Sequence, residues 1–448
     1  MTSTSSGSTV NAVERDRPTL VRAVSRWQLV GLAINDVIGS GVYLLPAAAA
    51  ALLGNASILA VILAGLAVAL LVLCFAEAAS YFDEPGAGYI YTREAFGSFV
   101  GFEVGWMTWL ARVASIASLA NGFALATAFL WPPAASGFPR VALIVGLIAL
   151  LTWINVVGVK QGARTAVILT IAKTTPLLIF IAIGIFFVDW SVVTTMEVPR
   201  PDVLGEASLL LLFAYAGFEN TPAAAGEYKN PQRDVPFALL MMITIVTLVY
   251  TGAQLVALGT LPNVALSQSP VAEAAGTFLG AAGALLMTLG AMISIGGNVG
   301  NTILVGPRYL YALAADGYGP RALARVHPTY RTPAAAIVTL SAVALVLALS
   351  GSFVQLALLS IIARLATYIG TAAAVPILRR KFGNRPNVVR LPGGPTIPIV
   401  ALILSLAFLA SAEWRNLVAG LIALVIGAII YKFRRDPRRE SGIGSRES

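Results

Sequence analysis

Residues 35–46 read Asn35-Asp36-Val37-Ile38-Gly39-Ser40-Gly41-Val42-Tyr43-Leu44-Leu45-Pro46, a Gly-Ser-Gly cluster set in a mostly apolar run from 28 to 52. Glycine in a helix costs about 1 kcal/mol relative to alanine, and a freed backbone group facing lipid costs several more. A break of this kind persists in a bilayer only if it lines a cavity or meets polar partners. Close helix packing through small residues explains one isolated cluster equally well. The reading therefore depends on what surrounds it.

The surroundings are apolar. Of 448 residues, 58% are hydrophobic and 11% charged, with a mean hydropathy of +0.82; a soluble chain carries about 25% charged residues. Candidate spans fall near 28–52, 57–81, 98–131, 140–158, 164–188, 205–225, 235–260, 280–314, 334–350, 353–378, 396–411 and 414–433, twelve in all. This predicts an all-α integral membrane protein. Residues 1–26 read as a disordered cytoplasmic tail rather than a signal peptide, and 434–448 as a cytoplasmic tail. With both ends on one side, the inner loops and tails hold twenty-four Lys and Arg, and the outer loops only Arg140, Arg200 and Arg415. That asymmetry places the termini in the cytoplasm of a multi-pass inner-membrane protein. It also accounts for the net charge of +9 without nucleic acid, because the basic residues are spread over every inner loop. Single Cys74 and single His327 argue against a disulfide or a Cys- or His-based metal site, and no cofactor is expected.

A second cluster, Ala216-Gly217-Phe218-Glu219-Asn220-Thr221-Pro222, interrupts the sixth run, with Gly217 lying 178 residues after Gly39. Each break falls in the first span of a five-span unit, one over 27–190 and the other over 205–380, with 396–433 outside them. A unit with an odd number of spans, repeated in tandem, inserts with opposite topology, as in inverted-repeat secondary transporters. Half-helix N-termini suit a carboxylate and half-helix C-termini an ammonium, so a zwitterion matches both.

Four segments carry a resemblance. The 35–46 run is similar to the first-span signature of the amino acid–polyamine–organocation permeases. Pro85-Gly86-Ala87-Gly88-Tyr89-Ile90-Tyr91 resembles their inner loop after the second span, and Phe213-Ala214-Tyr215-Ala216-Gly217-Phe218-Glu219 their sixth-span motif. Gly306-Pro307-Arg308-Tyr309-Leu310-Tyr311-Ala312-Leu313-Ala314-Ala315-Asp316-Gly317 resembles the end of their eighth span. The resemblance implies an amino-acid permease working by alternating access, not an enzyme. It implies substrate contacts at Ile38, Gly39, Ser40, Gly41, Phe213, Ala214, Gly217 and Asn301, and coupling or gating roles for Lys173, Glu219 and Tyr89; Asp36 departs from the family's usual neutral residue there and is a further coupling candidate.

Seven ionisable side chains fall within spans: Asp36, Glu77, Glu103, Arg112, Lys173, Glu219 and Arg364. Each costs at least about 2.5 kcal/mol at the bilayer centre, which makes it a functional candidate. Glu77 and Glu103, near span ends, are expected to be solvated. Arg112 and Arg364 are expected in structural ion pairs or on carbonyls of the broken helices. In proton-coupled relatives a fifth-span lysine takes the place of a bound sodium ion, so the resemblance gives Lys173 two open roles: proton carrier or fixed internal cation. Asp36 is expected to approach Lys173, and its rival role is to neutralise a cationic substrate. Tyr89 is expected to partner Glu219, or else to anchor at the interface together with Tyr91.

The substrate class expected is an amino acid, with the charge balance favouring a zwitterionic one, moved with protons or by exchange and without sodium. A cationic amino-acid or polyamine exchanger is the alternative, disfavoured because Asp36 and Glu219 are opposed by Arg112, Lys173 and Arg364. A channel or membrane sensor is the reading from another class, although neither selectivity rings nor a signalling domain is evident. No disulfide-linked heavy chain is expected, since Cys74 is not in an outer loop. A homodimer through the last two spans is an open alternative to plain lipid packing there.

Overall fold

The computed structural model describes residues 24–82, 87–158, 163–222, 229–383, 388–391 and 393–433. The expected terminal tails lie almost wholly outside these, as do Pro85 and Gly86 of the inner-loop motif. The first predicted span is two helices, α1 (Arg26–Val37) and α2 (Gly41–Leu53), and a short 3-10 turn leads into α3 (Ser57–Ser80). A short helix, α4 (Ala87–Phe96), precedes α5 (Ser98–Ala128); α6 (Gly137–Val157) and α7 (Ala163–Gly184) follow. After a one-turn α8 (Ser191–Thr194), α9 (Pro201–Tyr215) stops at the second Gly cluster. The chain continues through α10 (Pro231–Thr260), α11 (Pro270–Ala315), α12 (Ala334–Ser350), α13 (Phe353–Phe382), α14 (Thr396–Ala410) and α15 (Trp414–Lys432). Among the described residues, eight helical stretches are long and apolar enough to cross a bilayer, and α12 and α14 are shorter apolar helices.

Local chemistry marks the ends. Proline stands at the first position of α9, α10 and α11, where no N–H is required. Gly158 closes α6 in the left-handed region, and Ser352 with Gln355 forms a capping box on α13. One boundary departs from expectation. Helix α11 begins at Pro270, and Gly280, where the eighth span was expected to start, is a kink with φ of 64° inside it.

Helix α5 is the inner post: 83% of its most apolar window is buried, against 11% for α6 and 6% for α15. The outer faces of α6 and α15 expose Val141, Leu150, Trp153, Leu421, Ile422, Val425 and Ile429. Such continuous apolar faces are stable against lipid, not water.

Glu77 does not follow the expectation of solvation. Its carboxylate is fully buried, pairs with Arg379 at 2.5 and 2.6 Å, and accepts the Leu391 N–H at 3.1 Å and the Tyr81 hydroxyl at 3.1 Å. It ties α3 to α13 and to the strand of chain leading to α14. Glu103 is also buried at both carboxylate oxygens, packed against α15 near Gly427, with no hydrogen-bond partner among the described residues.

The two breaks are packed on each other. A Cβ on Gly41 would stand 2.5 Å from the Ala214 Cα, and one on Gly217 would stand 2.9 Å from the Asp36 carbonyl carbon. Gly217 also has φ of 127°, which L side chains rarely adopt. Gly217→Ala is therefore expected to destabilise the protein by roughly 1–3 kcal/mol, read as a lowered melting temperature in detergent. Gly146→Ala, on the lipid face of α6 with nothing within 4 Å, serves as the control and is expected not to lower it.

Candidate functional site

Unwinding at Ile38–Ser40 and Ala216–Gly217 leaves backbone carbonyls without helical partners, and side chains from three other helices supply them. Tyr250 of α10 reaches both breaks, with its hydroxyl 3.2 Å from the Val37 oxygen and 2.9 Å from the Ala214 oxygen. Ser294 of α11 donates to the Ile38 oxygen at 3.1 Å. Lys173 Nζ of α7 lies 3.3 Å from the Asn35 oxygen and 3.2 Å from Asn298 Oδ1. Every one of these donors is buried, so the breaks are satisfied by protein rather than by lipid-facing chain.

A cavity of about 30 Å³ lies between the breaks, walled by α1, α2, α5, α9, α11 and α13. Gly39, Ser40, Gly41, Phe213, Ala214, Gly217 and Asn301 line it, and so does Asp36. Ile38 is fully buried beside it and contributes its carbonyl to Ser294. Phe213 is 7% exposed and packs edge-on against Phe353 at 6.1 Å. Lys173, Glu219 and Tyr89 are absent from the lining.

Two expected pairs take different partners. Asp36 Oδ1 accepts from Asn301 Nδ2 at 2.7 Å, while Lys173 is held by Asn35 and Asn298. Among the described residues no ion pair joins Asp36 to Lys173; their charges act on each other at longer range. Tyr89 does not meet Glu219. Its hydroxyl donates to Asp316 Oδ2 at 2.5 Å, and Arg93 stands 3.7 Å from the same carboxylate, so the motif ending α11 closes onto α4. Tyr89 and Tyr91 are buried, which removes interfacial anchoring as their role.

Glu219 sits in the 3-10 turn after the second break, behind the cavity wall. Arg112 Nη2 of α5 reaches its Oε1 at 3.1 Å, and Arg364 Nη1 of α13 pairs with the same oxygen. The Gly217 N–H at 3.0 Å and the Tyr368 hydroxyl at 3.4 Å occupy Oε2. The guanidiniums extend the network: Arg112 to Asn220 Oδ1 at 2.7 Å, and Arg364 to the Ser115 hydroxyl at 2.8 Å. Arg112 also passes 5.9 Å below the Tyr309 ring. Both arginines line the cavity. The structural ion pair expected of them is present, and its shared acceptor is Glu219.

Ser115, Tyr368, Tyr250 and Ser294 carry no signal in the sequence, and Asn220 stands there only as a member of the second cluster. Polar residues of these types are common in helices, and only the folded chain converges them on the breaks. Among the described residues no group of His, Cys, Asp and Glu could hold a metal ion.

Comparison with known proteins gives this geometry a context. A family model described as amino acid permease matches residues 24–440. The chain is 30% identical to the methylthioribose transporter of Bacillus subtilis over 92% of its length and 93% of that protein's. It is 30% identical to the serine/threonine exchanger SteT of the same organism, covering 88% of this chain and 92% of the relative. The branched-chain amino acid permease BcaP, again of Bacillus subtilis, is 27% identical over 92% of both. These relatives carry different substrates in their names at nearly equal identity, so overall similarity does not select one. They agree on class: the chain is a membrane transporter, not an enzyme, and belongs to the amino acid permease family.

Proposed function

We propose that the protein is a secondary transporter that moves amino acids across the cytoplasmic membrane by alternating access. In this reading it has twelve spans, with inverted five-span units over 27–190 and 205–380, two further spans over 396–433, and cytoplasmic termini. The observation that carries the proposal is the cavity between two broken helices, lined by Ser40 and Gly41 at the start of α2 and by Phe213 and Ala214 at the end of α9. A helix N-terminus favours a carboxylate and the carbonyl end of another favours an ammonium. At about 30 Å³ the cavity has room for a water or two, so admitting an amino acid requires its walls to part. No nucleotide-binding motif is available to drive that motion, which leaves gradients and exchange as the source of energy.

Sodium independence is supported by Lys173. Its ammonium occupies the gap between α1 and α11 and takes the Asn35 carbonyl and the Asn298 amide oxygen as ligands, as a small cation would. Asp36, hydrogen-bonded to Asn301 on the cavity wall, is the carboxylate whose charge acts on that ammonium and so responds when it moves or loses its proton. Proton coupling and exchange both draw on this pair. The Tyr89–Asp316 contact and the Glu219 cluster are the gates assigned to the cycle, the first at the end of α11 and the second at the cavity.

Purified protein in liposomes is expected to take up radiolabelled amino acids with saturation, and replacing sodium with choline is expected to leave the rate unchanged. Absence of saturable uptake for every amino acid and polyamine tested would end the assignment. Asp36→Asn and Lys173→Ala are each expected to change transport rate together with its response to an imposed pH gradient or to internal amino acid. Unchanged values for both would remove the pair from coupling. Glu219→Gln leaves two buried guanidiniums facing a neutral amide, a change that typically costs about 3–5 kcal/mol. It is expected to lower the melting temperature in detergent and to abolish uptake, whereas a wild-type melting curve would show the cluster to be dispensable.

A further inference from the structure

The charges at the cavity do not balance, and the imbalance bears on what the cavity accepts. Arg112, Arg364 and Lys173 are 2%, 5% and 1% exposed, and the carboxylates facing them are Glu219 and Asp36. With Lys173 protonated, three cations against two anions leave one positive charge over. Glu219 cannot absorb more, because both of its oxygens are already engaged, one by the two guanidiniums and the other by the Gly217 N–H and Tyr368. Asp36 has a neutral amide, Asn301, as its direct partner. The surplus lies on the wall itself, since both arginines line the cavity while Glu219 stands behind them.

Unused donors lie at the same place. Arg112 Nε is buried and has no hydrogen-bond partner among the described residues, although its Nη2 is doubly engaged. Ser40 Oγ, at the start of α2 and also in the cavity lining, is likewise buried without a partner among the described residues. A guanidinium with a spare N–H in a site shielded from water is built to meet a carboxylate, and a buried donor left unpaired is costly.

We infer that the substrate is an acidic amino acid, whose side-chain carboxylate is read by Arg112. The inference rests on the transporter reading above and narrows its substrate class. A zwitterion brings no net charge and would leave the surplus cation buried, whereas a cationic substrate would add to it. An amino acid with a second carboxylate brings one negative charge and closes the account. Its α-carboxylate goes to the start of α2, where Ser40 Oγ is free, and its ammonium to the carbonyl end of α9 and Asp36. That division leaves the side-chain carboxylate facing α5 and α13.

The test is competition and uptake in liposomes with L-aspartate, L-glutamate, L-serine, L-leucine and L-lysine, at equal concentrations. L-aspartate or L-glutamate is expected to be taken up at least about tenfold faster than the neutral and cationic amino acids. Arg112→Gln is expected to lower the ratio of acidic to neutral uptake by about tenfold or more, and Arg112→Lys to lower it less. Because the Arg112 variants also disturb the Glu219 pair, stabilisation of the wild-type protein by each amino acid, read as a shift in melting temperature, gives a measure independent of them. A larger shift with the acidic pair supports the inference. Saturable uptake of neutral amino acids with none of the acidic ones overturns it and leaves the transporter reading standing. No uptake of any amino acid overturns both.

Discussion

A backbone carbonyl freed inside a bilayer must find a donor, and at the two breaks in this chain that requirement organises the surrounding helices. In water the carbonyls of Asn35, Val37, Ile38 and Ala214 would be solvated at no structural cost. In an apolar medium each has to be reached by a side chain from elsewhere, and those side chains come from α7, α10 and α11. The position of these three helices around α1 and α9 follows from that need as much as from apolar packing. Gly41 and Gly217 contribute by letting the two interrupted segments approach to backbone contact.

A second constraint is electrostatic. Glu219 draws α5 and α13 together through Arg112 and Arg364, and burying such a cluster yields little net stability once desolvation is subtracted. Its value is positional. One carboxylate oxygen shared by two guanidiniums sets where both arginines stand relative to the break, and so determines what charge the cavity wall presents. Glu77 and Arg379 do comparable work away from the cavity, fastening α3 to α13 and to the approach to α14.

Membrane class and most helix positions could be read from composition and apolar run length, because a bilayer imposes both. The breaks were readable because glycine clusters are expensive in that setting. What could not be read was pairing at long range. Glu77 looked solvated from its place near a helix end, yet its partner Arg379 arrives 302 residues later. Tyr89 was assigned to Glu219 when Asp316, 227 residues on, was the acceptor that the fold supplied. Gly280 marked the start of a span by apolarity alone, whereas a helical arm from Pro270 precedes it.

Tyr250 gives the two breaks a mechanical relation. Its hydroxyl lies within reach of carbonyls on both interrupted segments, but a hydroxyl carries one hydrogen and can donate fully to only one acceptor at a time. Passing that hydrogen from Val37 to Ala214 needs only a rotation about the C–O bond, far less than pulling a donor out of an apolar interior. One buried donor thus stands within reach of both breaks, so losing either bond costs the turn of a hydroxyl rather than an unserved carbonyl on both segments at once.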